Sequence, residues 1–303
     1  MAGAWPLVLG ARFMDRFGSG TRSAPRDALI AASTDEKNRG KAFGLEGAGD
    51  NLGAFIGPLI AVALLFIIKV KLRTVFYLAV IPGALAVLMI LAIKEKKVNF
   101  QSKIKIDLNY RQFPTAYRKY LLVTALFGIG NSSNAFLILQ TKYLGVSFEN
   151  TILIYATFNL VAALISYPSG RLSDTLGRKN ILLISFIIFT ITYTGFAFTK
   201  NVWLTGALFC LYGLYQGIFR SVGKAIAADF VPEHLRASGI GWYATTIGVT
   251  GLVASIVAGQ LWDKAGHPAV FIFGAAFAFV GIVSLLIFIP NKQPIHLHEK
   301  NSA

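Results

Sequence analysis

Cysteine, acidic residues and nucleotide-binding motifs are scarce in this sequence. Cys210 is the single cysteine among 303 residues, so the chain can form neither an internal disulfide nor a cysteine-based metal cluster. The four histidines lack the spacing of a metal site, and the sequence has no glycine-rich phosphate loop, so ATP coupling would need another subunit. We therefore predict no metal, no cofactor and no enzyme activity.

Lysine and arginine outnumber aspartate and glutamate by 29 to 14, which gives a net charge of +15. A basic chain can bind nucleic acid, but this one has no zinc spacing and no interleaving of basic and aromatic residues. Hydrophobic residues make up 55% of the chain and the mean hydropathy is +0.60. Because the long apolar runs are separated by short basic ones, we predict a multi-pass membrane protein that contacts lipid and binds no nucleic acid.

A membrane-spanning helix needs about 20 apolar residues, and nine stretches of the chain have that length. The predicted spans are 4–33, 42–68, 74–93, 120–141, 150–169, 180–199, 202–229, 238–262 and 269–290. The basic segment 94–119 is too long for a tight turn and is interpreted as a cytoplasmic linker. It separates a partial N-terminal bundle of three spans (1–93) from a six-helix bundle (120–290), and a tail (291–303) follows.

The loops predict how these spans are oriented. If 34–41 is cytoplasmic, the linker, 170–179, 230–237 and the tail lie on the same side of the membrane. These five segments hold seventeen lysines and arginines, and the opposite loops hold six. The excess of positive charge favours the cytoplasm for the first group. Met1 would then lie outside the cytoplasm, which favours preceding helices that this chain lacks.

The first span carries more charge than a lipid-facing helix tolerates. At 100° per residue, its charged residues fall within an arc of about 140°, so one face can be wet while the other meets lipid or other helices. Ionisable groups at this depth usually mark a substrate or ion pathway. The candidate pathway residues in this span are Arg12, Asp15, Arg22 and Arg26.

The second span adds two carboxylates one helical turn apart, Glu46 and Asp50. They can simply neutralise the arginines of the first span, or they can carry protons. Gly53, Gly57 and Pro58 follow, and this pattern predicts close helix packing and a break in the hydrogen-bond ladder.

The fourth span contains a polar but uncharged stripe. Asn131 and Asn134 lie three residues apart and could hydrogen-bond either a ligand or another helix. The sequence leaves these two interpretations open.

The most specific motif is the decapeptide GRLSDTLGRK. Its glycines permit a sharp turn, its aspartate can cap the positive end of a neighbouring helix, and its basic residues keep it in the cytoplasm. With this motif the sequence resembles the major facilitator superfamily, which it matches at every defined position. The resemblance implies a conformational latch that holds the cytoplasmic side closed in one state and releases it in the other. The latch residues would be Gly170, Asp174, Gly177, Arg178 and Lys179.

The first two spans extend the resemblance. Arg12 and the glycines after it look like the fourth-helix motif of the family, and Gly53, Gly57 and Pro58 are similar to its fifth-helix motif, which is associated with antiporters. The resemblance implies an all-α membrane fold whose nine transmembrane helices are family helices 4 to 12. The runs DRFGSGTRSAPRDALIA and SYPSGRLSD look like a prokaryotic permease subgroup with magnetosome-membrane members, which implies the inner (cytoplasmic) membrane.

An internal repeat is in line with duplicated six-helix halves. Residues 22–44 align with residues 220–241 at a spacing of about 198, which places Arg22 on Arg220 and Arg26 on Lys224. Six spans follow the linker and only three precede it. We therefore expect that three N-terminal family helices are missing and that such a segment is a partner of this chain.

In the family fold, the first, fourth, seventh and tenth helices line a central cavity. This assignment adds five candidate pathway residues: Asn131, Asn134, Gln216, Arg220 and Lys224. Arg22 and Arg220 lie near mid-depth on matched helices. Because guanidinium groups suit bidentate binding of carboxylate or phosphate, this pair favours an anionic substrate.

The main hypothesis is secondary active transport of a small organic solute by alternating access, with a coupling proton or ion. The rival is a proton-coupled drug efflux antiporter, whose candidate proton carriers are Asp15, Glu46 and Asp50. A third hypothesis is a non-transporting membrane remnant or scaffold.

Overall fold

A computed structural model of the chain describes residues 5–92 and 110–290. The described helices are α1 (Trp5–Ala32), α2 (Arg39–Val62), α3 (Leu72–Leu78), α4 (Val80–Ala92), α5 (Thr115–Gly130), α6 (Ala135–Tyr143), α7 (Phe148–Leu176), α8 (Arg178–Phe198), α9 (Val202–Asp229), α10 (Arg236–Ala265) and α11 (His267–Phe288). Eight helical segments in the described ranges are long and apolar enough to cross a membrane. With its 28 residues α1 is also long enough, although it is not one of those eight. The predicted all-α multi-pass fold is confirmed. Most of the linker and the whole tail lie outside the described residues.

The third and fourth predicted spans are interrupted. The third divides into α3 and α4 at Ala79, close to Pro82, which has no N–H to donate to the carbonyl of Leu78. The fourth divides into α5 and α6, and its main chain leaves the helix at Asn131, with φ −91° and ψ 78°. The predicted fourth span is thus present as one segment of membrane length, Thr115–Tyr143, but its helix is interrupted where serine and asparagine side chains compete for main-chain hydrogen bonds.

At its C-terminal end α7 is longer than predicted. It continues through Pro168 to Leu176, so Gly170 lies inside a helix. Gly177 alone makes the turn into α8, with φ 92°, a left-handed conformation that favours glycine. The prediction that Gly170 helps to form a sharp turn is therefore wrong.

Instead, Gly170 lets α7 cross α2 at very short range. A Cβ atom on Gly170 would lie 2.1 Å from the carbonyl oxygen of Gly40, and one on Gly44 would lie 2.6 Å from that of Ser166. A Cβ atom on Gly53 or Gly57 would meet nothing within 4 Å in the described part of the chain. The close-packing glycines of α2 are thus at its N-terminal end, and the packing role of Gly53, Gly57 and Pro58 stays a prediction.

The C-terminal half (α5–α11) is held by an aromatic core. Phe127 of α5 stacks on Phe186 of α8 with ring centroids 3.9 Å apart, and Tyr215 of α9 packs beside both Phe127 and Phe189. From the N-terminal half (α1–α4), α2 packs along α7 and α9, and α1 contacts α10. This arrangement places the charged residues of α1 and α2 against α9.

Candidate functional site: two layers of charge between the halves

One end of the molecule carries the turns before α2, α8 and α10, and the loops predict that this end is cytoplasmic. There the Asp174 carboxylate accepts hydrogen bonds from the main-chain amides of Gly40 (2.9 Å) and Lys41 (3.0 Å). These amides belong to the first turn of α2, where N–H groups lack helical partners and the helix dipole is positive. The capping expected of Asp174 is therefore present, and the capped helix belongs to the other half.

Arg178, Asp229 and Arg39 complete this cytoplasmic layer. The Arg178 guanidinium pairs with the Asp229 carboxylate and donates to the Glu36 carbonyl oxygen at 2.7 Å. Arg39 of α2 lies 2.8 Å from the same carboxylate. These side chains are no more than 8% exposed, so solvent screens their attraction weakly.

Sequence reasoning did not place Asp229 in the site. A lone carboxylate at the end of an apolar span gives no signal of the two arginines that converge on it from α2 and α8. Lys179, by contrast, was predicted to be a latch residue, but its ammonium donates to the Leu286 carbonyl oxygen at 3.4 Å and forms no ion pair within the described ranges.

A deeper layer lies further along the same helices. It contains three cations and three carboxylates and so has no net charge. We call it the charge network, and its members are Arg26 and Asp27 of α1, Glu46 and Asp50 of α2, and Arg220 and Lys224 of α9. On α2, Glu46 lies seven residues beyond Arg39, which corresponds to about 10 Å of helix at 1.5 Å per residue.

Glu46 is the centre of the charge network. Its carboxylate lies 2.6 Å from Arg26, 2.9 Å from Lys224 and 3.4 Å from Arg220. The Glu46 side chain is 8% exposed, whereas the arginine side chains are 29% and 33% exposed. The buried Glu46 carboxylate is thus paired with arginines whose side chains remain partly exposed.

The remaining contacts extend the network to both ends. Lys224 also binds Asp27 at 2.9 Å, and Arg220 binds Asp50 at 2.5 Å. The Asp50 side chain is 48% exposed, whereas that of Asp27 is 5% exposed. Four of these pairs join the N-terminal half to the C-terminal half.

The predicted pathway cations differ in their surroundings. Arg26, Arg220 and Lys224 are paired with carboxylates, which agrees with the neutralisation interpretation. Arg22 is exposed and forms no ion pair with any described residue. The side chains of Arg12 and Asp15 lie outside the described residues.

The asparagines of the fourth span face α9. Asn131 donates to the Tyr215 hydroxyl at 2.9 Å, and Asn134 accepts from Tyr212 at 2.8 Å. The Asn134 amide also lies 3.5 Å from the Gln216 side-chain oxygen. Both asparagines are half-buried, so they bind another helix and still border open space.

The sequence profile of the Major Facilitator Superfamily matches residues 1–116 and 120–302. The chain belongs to the major facilitator superfamily. An uncharacterised MFS-type transporter of Methanocaldococcus jannaschii is 32% identical over 282 residues, which are 91% of this chain and 70% of that protein. Membership implies secondary transport of a small molecule across a lipid bilayer, and the predicted family and integral membrane location are confirmed.

Two further proteins bear on fold and function. A multi-drug resistance efflux pump homologue of Lactococcus lactis is 29% identical over 189 residues, which are 59% of this chain and 46% of that protein. The crystal structure of the human organic anion transporter MFSD10 superposes with a TM-score of 0.74 at 14% identity, covering 86% of this chain and 67% of that one. At that identity the likeness concerns the fold.

Proposed function

We propose that this superfamily member moves a small organic solute by alternating access and that the charge network couples the movement to an ion. The observation that carries the proposal is the set of four ion pairs that α9 makes across the halves with α1 and α2. Ion pairs of this kind can hold one conformation closed and be exchanged for other contacts when a proton or solute arrives.

Glu46 is the proposed coupling carboxylate. Protonation would remove the one negative charge that Arg26, Arg220 and Lys224 share. Asp50, half-exposed and bound to Arg220, is the proposed point of proton access. Asp15 stays a predicted carrier.

The cytoplasmic layer is the proposed latch. Asp174 bridges the two halves through the first turn of α2, and Asp229 is shared by Arg39 of one half and Arg178 of the other. The layer must open before a solute can pass to the cytoplasm. Gly170 contributes the close crossing, Gly177 contributes the turn, and Lys179 stays a predicted member.

An anionic solute remains our proposal, with Arg22 as its contact. The other three cations are neutralised within the charge network, whereas Arg22 is exposed and unpaired among the described residues. Uptake of organic anions into proteoliposomes, compared between wild type, Arg22→Ala and Arg220→Ala, tests this. We expect Arg22→Ala to reduce anion uptake and to leave uptake of uncharged solutes unchanged. Equal anion uptake by all three proteins would remove the arginines from the proposal.

Proton-coupled drug efflux is the second candidate. The matched fifth-helix pattern and the Lactococcus lactis efflux pump homologue favour it. Accumulation of a cationic dye in inverted vesicles with an acidic lumen, with protons leaving the lumen as the dye enters, would support efflux if it is lost in Glu46→Gln. Anion uptake that needs no proton gradient would contradict it.

The membership in a magnetosome-related subgroup and the partner segment of three helices stay predictions from the sequence. Exposed apolar side chains on α1, including Phe13, Met14 and Phe17, support additional helices or lipid against this face. Reconstitution of this chain with and without a co-expressed three-helix segment tests the partner. If neither sample transports any solute, the scaffold hypothesis gains support.

A further inference from the structure

We propose that Tyr243 of α10 is a positioning residue for the charge network and that it is the counterpart, in the C-terminal half, of Glu46. Its hydroxyl holds the pair of Lys224 and Asp27 in place across the interface between the halves. The positioning follows from contacts at this interface, whereas its part in ion coupling rests on the proposed function.

The internal repeat matches Tyr243 with Glu46. The spacing of 197 residues that joins the two glycines at the end of the repeat also joins Glu46 to Tyr243, two residues further on. It likewise joins Phe43 to Ile240, and these two side chains are buried in one small core shared by both halves. Because residues three apart share a helix face, Glu46 and Tyr243 lie on the faces of α2 and α10 that meet this core.

The Tyr243 hydroxyl reaches the main chain of α9. A Cβ atom on Gly223 would overlap this hydroxyl, so the glycine leaves the room that the hydroxyl occupies. The Tyr120 ring stacks on the Tyr243 ring with centroids 5.7 Å apart, and the Tyr120 hydroxyl donates to the Gly223 carbonyl oxygen at 2.9 Å. Both tyrosines are buried. The two rings thus hold α9 at the residue that directly precedes Lys224.

The same hydroxyl faces α1 of the other half. The Asp27 carboxylate, whose side chain is 5% exposed, acts electrostatically on the Tyr243 hydroxyl. Asp27 in turn binds Lys224 at 2.9 Å and its neighbour Arg26 at 3.0 Å. Because a buried carboxylate is costly without polar groups around it, a hydroxyl dipole beside Asp27 stabilises the charge that Lys224 binds.

These contacts repeat those of Glu46 with the halves exchanged. Glu46 of α2 binds a cation on α1 of its own half and Lys224 on α9 of the other half. Tyr243 of α10 contacts α9 of its own half and faces Asp27 on α1 of the other half. Where the N-terminal half supplies a charge, the C-terminal half supplies a hydroxyl, which orients its neighbours and adds no charge to a neutral network.

The test is a double-mutant cycle on the opening of the cytoplasmic end. Opening is read in the reconstituted 303-residue chain from the rate at which Ser173→Cys, in a Cys210→Ser background, reacts with a membrane-impermeant maleimide. Tyr243→Phe keeps the stacked ring and removes the hydroxyl, so we expect it to raise this rate by about fivefold, as the loss of one net hydrogen bond would. In an Asp27→Asn background the same substitution should change the rate by no more than about twofold, because the pair that it positions is already broken.

Tyr117→Phe is the matched control. Tyr117 is also fully buried, and its hydroxyl donates to the carbonyl oxygen of Gly239, which lies one turn before Tyr243 on α10. Because this acceptor is a main-chain group outside the charge network, Tyr117→Phe should change the labelling rate by the same factor in both backgrounds. If Asp27→Asn does not fold, Lys224→Met breaks the same pair and serves as the second background.

A second pair of variants tests the contact with α9. Gly223→Ala places a methyl group where the Tyr243 hydroxyl lies, so it should lower the Tm. Adding Tyr243→Phe should restore most of that loss, since the nearest remaining ring atom would lie 3.2 Å from the methyl carbon. A double variant that recovers nothing would contradict the placement of the hydroxyl.

A labelling rate of Tyr243→Phe equal to that of the wild type, or an equal effect of this substitution in both backgrounds, overturns the positioning role and leaves packing alone. Solute uptake, measured separately, distinguishes this result from failure of the proposed function. A chain that shows the non-additive labelling and moves no solute keeps the positioning role and loses the coupling.

Discussion

Substitution of Glu46 by glutamine is the sharpest perturbation of the charge network. The variant keeps the shape of the side chain and removes the negative charge that lies within 3.4 Å of three cations. Loss of one partner from a fully buried pair costs about 3–5 kcal/mol. Because Arg26 and Arg220 are 33% and 29% exposed, we discount this to about 2–3 kcal/mol.

Part of that energy acts between the halves, since Arg220 and Lys224 belong to α9 and Glu46 to α2. A loss of about 2.7 kcal/mol in the closed conformation alone would shift the ratio of closed to open molecules by about 100-fold. We therefore expect Glu46→Gln to open the cytoplasmic end for a much larger fraction of the time.

Cysteine labelling measures this opening. Ser173 is 1% exposed in the cytoplasmic layer, so Ser173→Cys in a Cys210→Ser background reports opening through its reaction rate with a membrane-impermeant maleimide. The rate should rise steeply in Glu46→Gln. Glu149→Gln, at the opposite end of α7 and without an ion pair among the described residues, is the control. Equal labelling rates in the two variants would refute the coupling between the charge network and the latch.

Two further predictions concern the same interface, and a third concerns the exposed Arg22. Gly170→Ala should lower the Tm by several degrees, because its Cβ would lie 2.1 Å from the Gly40 oxygen. The control Gly53→Ala should be neutral or should stabilise α2 by up to about 1 kcal/mol. Equal melting curves for the two variants would contradict the crossing geometry. Asp174→Asn should raise the labelling rate of Ser173→Cys by about tenfold, since one of the two charge-assisted hydrogen bonds to α2 becomes a neutral one and the other is lost, because the amide nitrogen of asparagine cannot accept an N–H; an unchanged rate would count against the latch. In the uptake assay above, Arg22→Ala should affect anions alone.

The sequence predicted the helical architecture well because apolar length reports membrane spans directly. The span 202–229 coincides with α9, and the predicted capping by Asp174 is present. Both follow from local properties, namely hydropathy in one case and a loop motif in the other.

What the sequence could not give is the pairing of distant charges. Arg220 and Arg22 occupy matched positions of the repeat, yet one is bound to Asp50 and the other forms no ion pair in the described part of the chain. The difference depends on which helices pack against each face. In the same way, the break after Gly130 depends on a competition between side-chain and main-chain hydrogen bonds that hydropathy does not register.

The crossing of Gly40 and Gly170 brings two bare main chains together, and the short polar side chains of Ser173 and Asp174 lie beside it. Two main chains that meet at a glycine crossing can separate and meet again without a rotamer change of a large side chain. Opening and closing at this point therefore require no repacking of large side chains. In the proposed mechanism, the strength of closure then resides in the ion pairs of the cytoplasmic layer and of the charge network rather than in interdigitated side chains at this crossing.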